Sequence, residues 1–139
     1  MYKKEEWINY IEYNNIEAIK YLLDNKLIDI NIQDKYGWTP LMFASLYNNI
    51  EMVKLLLSYK SINVNIQDNF NNTLLILASY LNHIEIVKLL LNHPDIKLSL
   101  KDAEGKTALN FAKERNYKEI ETLLMNHDRK EKLKLLKHV

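Results

Sequence analysis

The sequence predicts an all-α fold: paired short helices joined by tight turns and short hairpin-like loops, stacked as a solenoid of about four repeats. Three observations carry this. Asp34, Asp68 and Asp102 stand 34 residues apart, and Thr39, Thr73 and Thr107, then Ala44, Ala78 and Ala112, fall on the same step. Each period contains two apolar runs at helical spacing, the second ending in Leu55, Leu56 and Leu57, in Leu89, Leu90 and Leu91, or in Leu123, Leu124 and Met125. Each period also carries its own start and stop residues. A fixed step of this size marks units that bury their apolar faces only against neighbouring units.

Taken in order, residues 1–30 form a degenerate first repeat. Residues 16–23 match residues 50–57, whereas residues 5–13 replace the Thr-led helix by an acidic start, Glu5 and Glu6. Acids suit the positive end of a helix, and a terminal repeat needs a polar outer face, so this unit is expected to be an N-terminal cap. In the second repeat, residues 31–64, a turn from Asp34 to Trp38 leads into Thr39 and Pro40. Thr caps helix N-termini and Pro is best tolerated at the first helical position, which predicts a helix over about 39–47. Asn48 and Asn49 end it, because Asn accepts the left-handed conformation that closes a helix. Asn14, Asn82 and Asn116 occupy the Asn48 position in the other repeats. A second helix over about 49–58 places Ile50, Val53, Leu56 and Leu57 at helical spacing, and residues 62–66 are expected to run extended into the next turn. Residues 65–98 and 99–126 repeat the scheme. Residues 127–139 break it and read as a short basic amphipathic helix with Leu133 and Leu136 on one side, expected either to cap the last repeat or to make a contact of its own.

These residues resemble the ankyrin repeat. Gly37, Trp38, Thr39, Pro40, Leu41 and Ala44, followed by the second apolar run to Leu57, match that family's signature, whose period is about 33 residues. The extra residue of this chain is placed in the loop over 58–62. The third repeat keeps Thr73, Leu75 and Ala78 but has Asn71 and Leu74 in the Gly and Pro positions; the fourth keeps Gly105, Thr107, Leu109 and Ala112. The family's His position holds Met42, Ile76 and Asn110. The resemblance covers roughly residues 3–126, within a repeat domain read as residues 1–126.

Composition limits the function classes. With 47% apolar residues the chain has enough for a packed core, and without cysteine it has neither disulfides nor thiolate chemistry. No apolar run approaches the ~20 residues of a membrane span. The start, with Lys3, Lys4, Glu5 and Glu6, does not resemble a signal peptide, so a soluble cytoplasmic monomer is expected, with signal-less secretion left open. A net charge of +1 attracts no polyanion at long range, although residues 99–139 hold ten Lys/Arg against seven acids.

No enzyme, cofactor or metal is expected. Asp34, Asp68 and Asp102, like Glu51, Glu85 and Glu119, recur in every repeat, whereas a catalytic pair would be local to one. His83, His93, His127 and His138 lack metal-ligand spacing, and two glycines make no phosphate-binding loop. Nothing in the sequence assembles a Ser/His/Asp triad.

The resemblance implies instead that a protein or peptide partner meets the turn tips and the exposed side of the first helices, on the concave face. By register this gives Glu12 and Tyr13 in the cap, then Lys35, Tyr36, Trp38, Leu46 and Tyr47. The third repeat contributes Asn69, Phe70, Asn72, Tyr80 and Leu81, and the fourth Ala103, Glu104, Lys106, Glu114 and Arg115. Aromatics with sparse charge resemble the centre of a protein interface, so Tyr36, Trp38, Tyr47, Phe70 and Tyr80 are the expected anchors. Trp38 and Phe70 could equally pack against a neighbouring turn. Stacking of single-stranded nucleic acid is disfavoured by the few cations on this strip. Two further functions compatible with the sequence are a polyanion or membrane-surface contact through residues 129–137, and a spacer or fragment of a longer array.

Overall fold

The computed structural model describes residues 5–138; the readings made on Lys3, Lys4 and Val139 lie outside the described residues. The described residues form eight α-helices and no strand. They run as α1 (Glu6–Glu12), α2 (Ile16–Asp24), α3 (Pro40–Leu46), α4 (Ile50–Leu57), α5 (Leu74–Tyr80), α6 (Ile84–Leu91), α7 (Ala108–Glu114) and α8 (Lys118–Leu136). The chain divides into two compact units, with the boundary between Asn69 and Phe70. In the first, α1 packs on α2, α3 on α4, and α1 on α3; in the second, α5 packs on α6, α7 on α8, α5 on α7 and α6 on α8.

The first helix of each full repeat starts where its Thr predicts. Thr39, Thr73 and Thr107 are extended, and their side chains accept hydrogen bonds from the backbone N–H of Met42 (3.2 Å), Ile76 (3.1 Å) and Asn110 (3.2 Å). At the fourth repeat the Asn110 side chain accepts in return from the Thr107 N–H, which completes a capping box. In the first repeat Glu5 stands at the cap position without a side-chain bond, and Glu6 supplies the negative charge in the first turn.

The stop is equally local. Asn14, Asn48, Asn82 and Asn116 all adopt the left-handed conformation, with φ between 52° and 60°. At α3, the Asn49 N–H donates to the Ala44 carbonyl (2.9 Å) and the Asn48 N–H to the Ser45 carbonyl (3.1 Å). The same two bonds close α1, α5 and α7. This is the Schellman arrangement, which satisfies carbonyls that a helix end leaves open. The side chain just before each left-handed Asn sits on the C-cap: Tyr13, Tyr47, Leu81 and Arg115, all exposed.

Burial follows the same register. Leu41 and Leu75, Ala44, Ala78 and Ala112, and Leu56, Leu90 and Leu124 are buried in their units. The second helices bury Met52, Ile86 and Ile120, whereas Ile50 and Leu57 are half-exposed. Residues 62–66 are not extended throughout. Val64 and Asn65 form a turn, in which the Asn63 carboxamide oxygen accepts from the Asn65 N–H at 3.0 Å. An Asn side chain that bonds its own backbone two residues on competes with an extended run. Asn31 ties this loop to the preceding one, accepting from the Asn63 N–H (2.9 Å) and donating to the Ser61 carbonyl (2.9 Å).

A side-chain link joins the ends of the second helices of the first unit. The Tyr59 hydroxyl donates to Asp24 at 2.8 Å, and its pKa is pushed up from 10.0 to about 12, first by burial and then by the Asp24 hydrogen bond and charge. The fold favours the protonated phenol. Its stabilising contribution is therefore complete below pH 10 and is lost as pH rises from about 10 toward 12. We expect Tyr59→Phe to fall less steeply in stability than wild type across that window, as read by chemical denaturation at stepped pH. Parallel curves would contradict the link.

The C-terminal segment departs from expectation. No new helix begins at His127, because α8 runs through that point unbroken. Among the described residues of the segment, only His127 is half-buried. Residues 128–138 are all exposed, Leu133 at 52% and Leu135 at 70%. The local pairs Lys132–Asp128 (2.9 Å) and Lys134–Glu131 (3.1 Å) lie along the helix and provide about a few tenths of a kcal/mol each. Among the described residues no helix is long and apolar enough to cross a membrane.

Candidate functional site

The turns that present the expected surface are built by the repeated aspartates. The Asp34 carboxylate accepts from the N–H groups of Tyr36 (2.9 Å) and Trp38 (2.8 Å), and Asp102 does the same for Glu104 and Lys106 (both 2.9 Å). The backbone closes each turn, with Asp34 N–H to Trp38 carbonyl and Asp102 N–H to Lys106 carbonyl, both at 2.9 Å. Asp68 is buried and accepts from the Trp38 indole N–H at 3.2 Å. These carboxylates are committed to turn geometry, which is why they recur.

In the first unit Lys35 and Tyr36 sit at the turn tip, the lysine ammonium 5.1 Å from the tyrosine ring centroid. Tyr36 is exposed. Trp38 is half-buried: besides its bond to Asp68, its ring meets Phe43 edge-on at 5.3 Å. Trp38 thus packs within the fold while keeping part of its surface exposed. Asn69 is likewise drawn into the fold, its N–H donating to the Tyr36 carbonyl (3.0 Å) and its carboxamide to the Lys35 carbonyl (2.8 Å). Phe43, absent from the sequence-derived set, is the hub of this patch. It contacts the buried Trp7 at 5.7 Å and stacks on Tyr47 at 6.3 Å. Tyr47 remains 43% exposed, Leu46 is half-buried beside it, and Tyr13 is exposed at the end of α1.

In the second unit the geometry centres on Arg115. Its guanidinium lies 4.3 Å from the Tyr80 ring centroid and 5.7 Å from that of Tyr117, and its Nε donates to the Tyr117 hydroxyl at 3.1 Å. That hydrogen bond, and then Tyr80, raise its already high pKa. Tyr80 meets Phe111 edge-on at 5.5 Å. Lys106 lies 5.5 Å from the Phe111 centroid and pairs with Glu114 at 3.2 Å, a hydrogen bond that raises the lysine pKa. Phe70 is exposed at its turn tip, where its carbonyl accepts from the Ala103 N–H at 3.0 Å. Leu81 is exposed and Asn72 half-buried; Ala103 and Glu104 are exposed on the last turn.

Tyr80, which register assigns to the third repeat, and Lys106, Glu114 and Arg115, which it assigns to the fourth, lie together here with Phe111 and Tyr117, which register does not point to. A signal existed: Phe43 and Phe111 stand two repeat steps apart, one helical turn before the exposed C-cap. Among the described residues no group of three or more His, Asp and Glu side chains is placed to hold a metal ion.

A family model described as ankyrin repeats (3 copies) matches residues 8–68 and again residues 60–134, together most of the chain. The chain belongs to the ankyrin-repeat family. No curated protein matches it. Ankyrin repeats are in general protein–protein interaction modules. In this chain the turn tips and the C-caps of the first helices carry exposed large side chains, among them Tyr36, Phe70, Tyr47 and Leu81.

Proposed function

We propose that this chain is a non-enzymatic interaction module, acting as a cytoplasmic monomer, whose protein or peptide partner contacts the turn tips and first helices. The observation that supports this best is the pairing of exposed aromatics with rigid backing in each unit. Tyr47 is backed by Phe43, and Tyr80 by Phe111 and Arg115. A ring already held in place forfeits little side-chain freedom on binding, which is how aromatic anchors contribute more than their area. Tyr36 and Phe70 add an exposed ring at the turn tip of each unit.

The test is an affinity capture from native lysate that compares wild type with Tyr47→Ala/Tyr80→Ala. Folding of the variant is checked first by circular dichroism. A protein retained by wild type and lost by the folded variant is the expected result. Loss of folding in Ala variants across these sites would assign the aromatics to the core and end the interface reading. The exposure of Leu133, Leu135 and Leu136 beside a run of lysines favours a second reading, an anionic contact through the end of α8. Retention by both proteins, with loss on deleting residues 128–139 and in raised salt, would move the function there.

A further inference from the structure

We infer that Arg115 is a carboxylate-recognition point, so that the partner docks an acidic peptide segment, Asp or Glu beside a large apolar side chain, against the second unit. The inference rests on the interaction surface proposed above and specifies its chemistry. Three observations carry it.

The first is charge. Among the described residues no carboxylate lies in ion-pair range of Arg115, whereas the other cation of the patch, Lys106, is already paired with Glu114. The second unit as a whole has twelve Lys/Arg against nine Asp/Glu, while residues 1–69 have seven against nine. Five of those cations and two of those acids lie in residues 128–138, which leaves residues 70–127 at seven against seven, so the attraction for an acidic segment is that of Arg115 itself.

The second is orientation. Arg115 is exposed, yet it is not a freely rotating side chain. The Tyr80 ring lies against the guanidinium, its centroid 4.3 Å from the guanidinium carbon, and the Tyr117 hydroxyl accepts from Nε at 3.1 Å. A planar fork held this way is suited to bidentate contact with a carboxylate, which a lysine ammonium cannot reproduce. Backbone geometry sets the placement. Arg115 is the C-cap of α7, Asn116 turns left-handed, and Tyr117 starts α8, so the two side chains project from one tight corner.

The third is the surround. Tyr80, 41% exposed and braced by Phe111, lies directly beside the guanidinium. An apolar side chain adjacent to the partner's acid would rest on this ring and exclude water from the ion pair, which strengthens it.

The test selects binders from a random phage-displayed peptide library on the full chain. The winners' affinities are then measured for wild type and Arg115→Lys, each with the original peptide and with its acid changed to Asn or Gln. The expected winners carry Asp or Glu next to Leu, Phe or Trp. Each single change weakens binding by about tenfold or more, and the two losses together are smaller than additive. Acid-free winners, indifference to Arg115→Lys, or fully additive losses would overturn the inference. The peptide-side change uses wild-type protein, so poor folding of a variant would not shield it. Winners lost on Tyr47→Ala/Tyr80→Ala but indifferent to Arg115 would leave the interaction surface standing and remove the carboxylate. Winners indifferent to all three sites, or an empty selection, would remove both.

Discussion

Gly37→Ala is expected to destabilise the first unit by about 2–5 kcal/mol, whereas Gly105→Ala costs only about 1–2 kcal/mol. Both glycines have φ of +82°, in the left-handed region where a Cβ crowds the following carbonyl. They differ in their surroundings. A Cβ on Gly37 would stand 2.7–2.9 Å from the Asn69 side chain, the Asn69 backbone nitrogen and the Asp68 Cα, whereas one on Gly105 meets nothing within 4 Å. Two of those three neighbours are backbone, so the clash cannot be relieved by a rotamer change. Relief would have to pull Asn69 from the Tyr36 and Lys35 carbonyls, and Asp68 from the Trp38 indole. Urea unfolding of the two variants side by side measures the difference. Equal losses would mean that the close approach of these turns has no energetic weight.

Leu56→Ala is expected to cost about 2–5 kcal/mol, the range for emptying a buried leucine site. Leu56 is fully buried in α4, with Met52 and Val53 of the same helix also in the core. Leu133→Ala, the same chemical change on the far part of α8, is expected to stay within about 0.5 kcal/mol because its side chain is half in water already. The pair separates a core position from a helical extension that carries leucine without burying it. A cost at Leu133 close to that at Leu56 would show that the extension packs on the protein, and would remove the anionic contact as a function of α8. The comparison is best made by guanidinium unfolding followed through circular dichroism.

Much of the fold can be read from single residues because its punctuation is local. Thr39 needs only its own φ/ψ and the N–H three residues on to start a helix. Asn48 needs only its tolerance of a positive φ to end one. The repeated aspartates are local punctuation too, since Asp34 and Asp102 each accept from backbone N–H groups two and four residues ahead. The loop over 62–66 departs from the extended run expected of it because the Asn63 side chain offers the chain a turn instead. The end of α8 departs as well. Nothing in its sequence forces a break at His127, and the change from buried to exposed leucines is invisible to helical periodicity.

The surface is less legible. Register puts Tyr36, Trp38, Tyr47, Phe70 and Tyr80 in one class, as exposed aromatics. The structure separates them by partners that lie far along the chain. Trp38 binds a carboxylate 30 residues on, and Asn69 holds backbone 33 and 34 residues back. Tyr80 takes Arg115 and Phe111 as neighbours, more than 30 residues later.

From the sequence alone came the repeat, its period, the starts and stops of the helices and the family, because each rests on the conformational preference of one residue and its near neighbours. Only the tertiary structure decided which surface side chains are committed to holding turns together, that Phe43, Phe111 and Tyr117 back the exposed rings, and that Arg115 has no carboxylate partner among the described residues. Those outcomes depend on where a repeat of about 34 residues brings its side chains in space, a distance over which local preference carries no information.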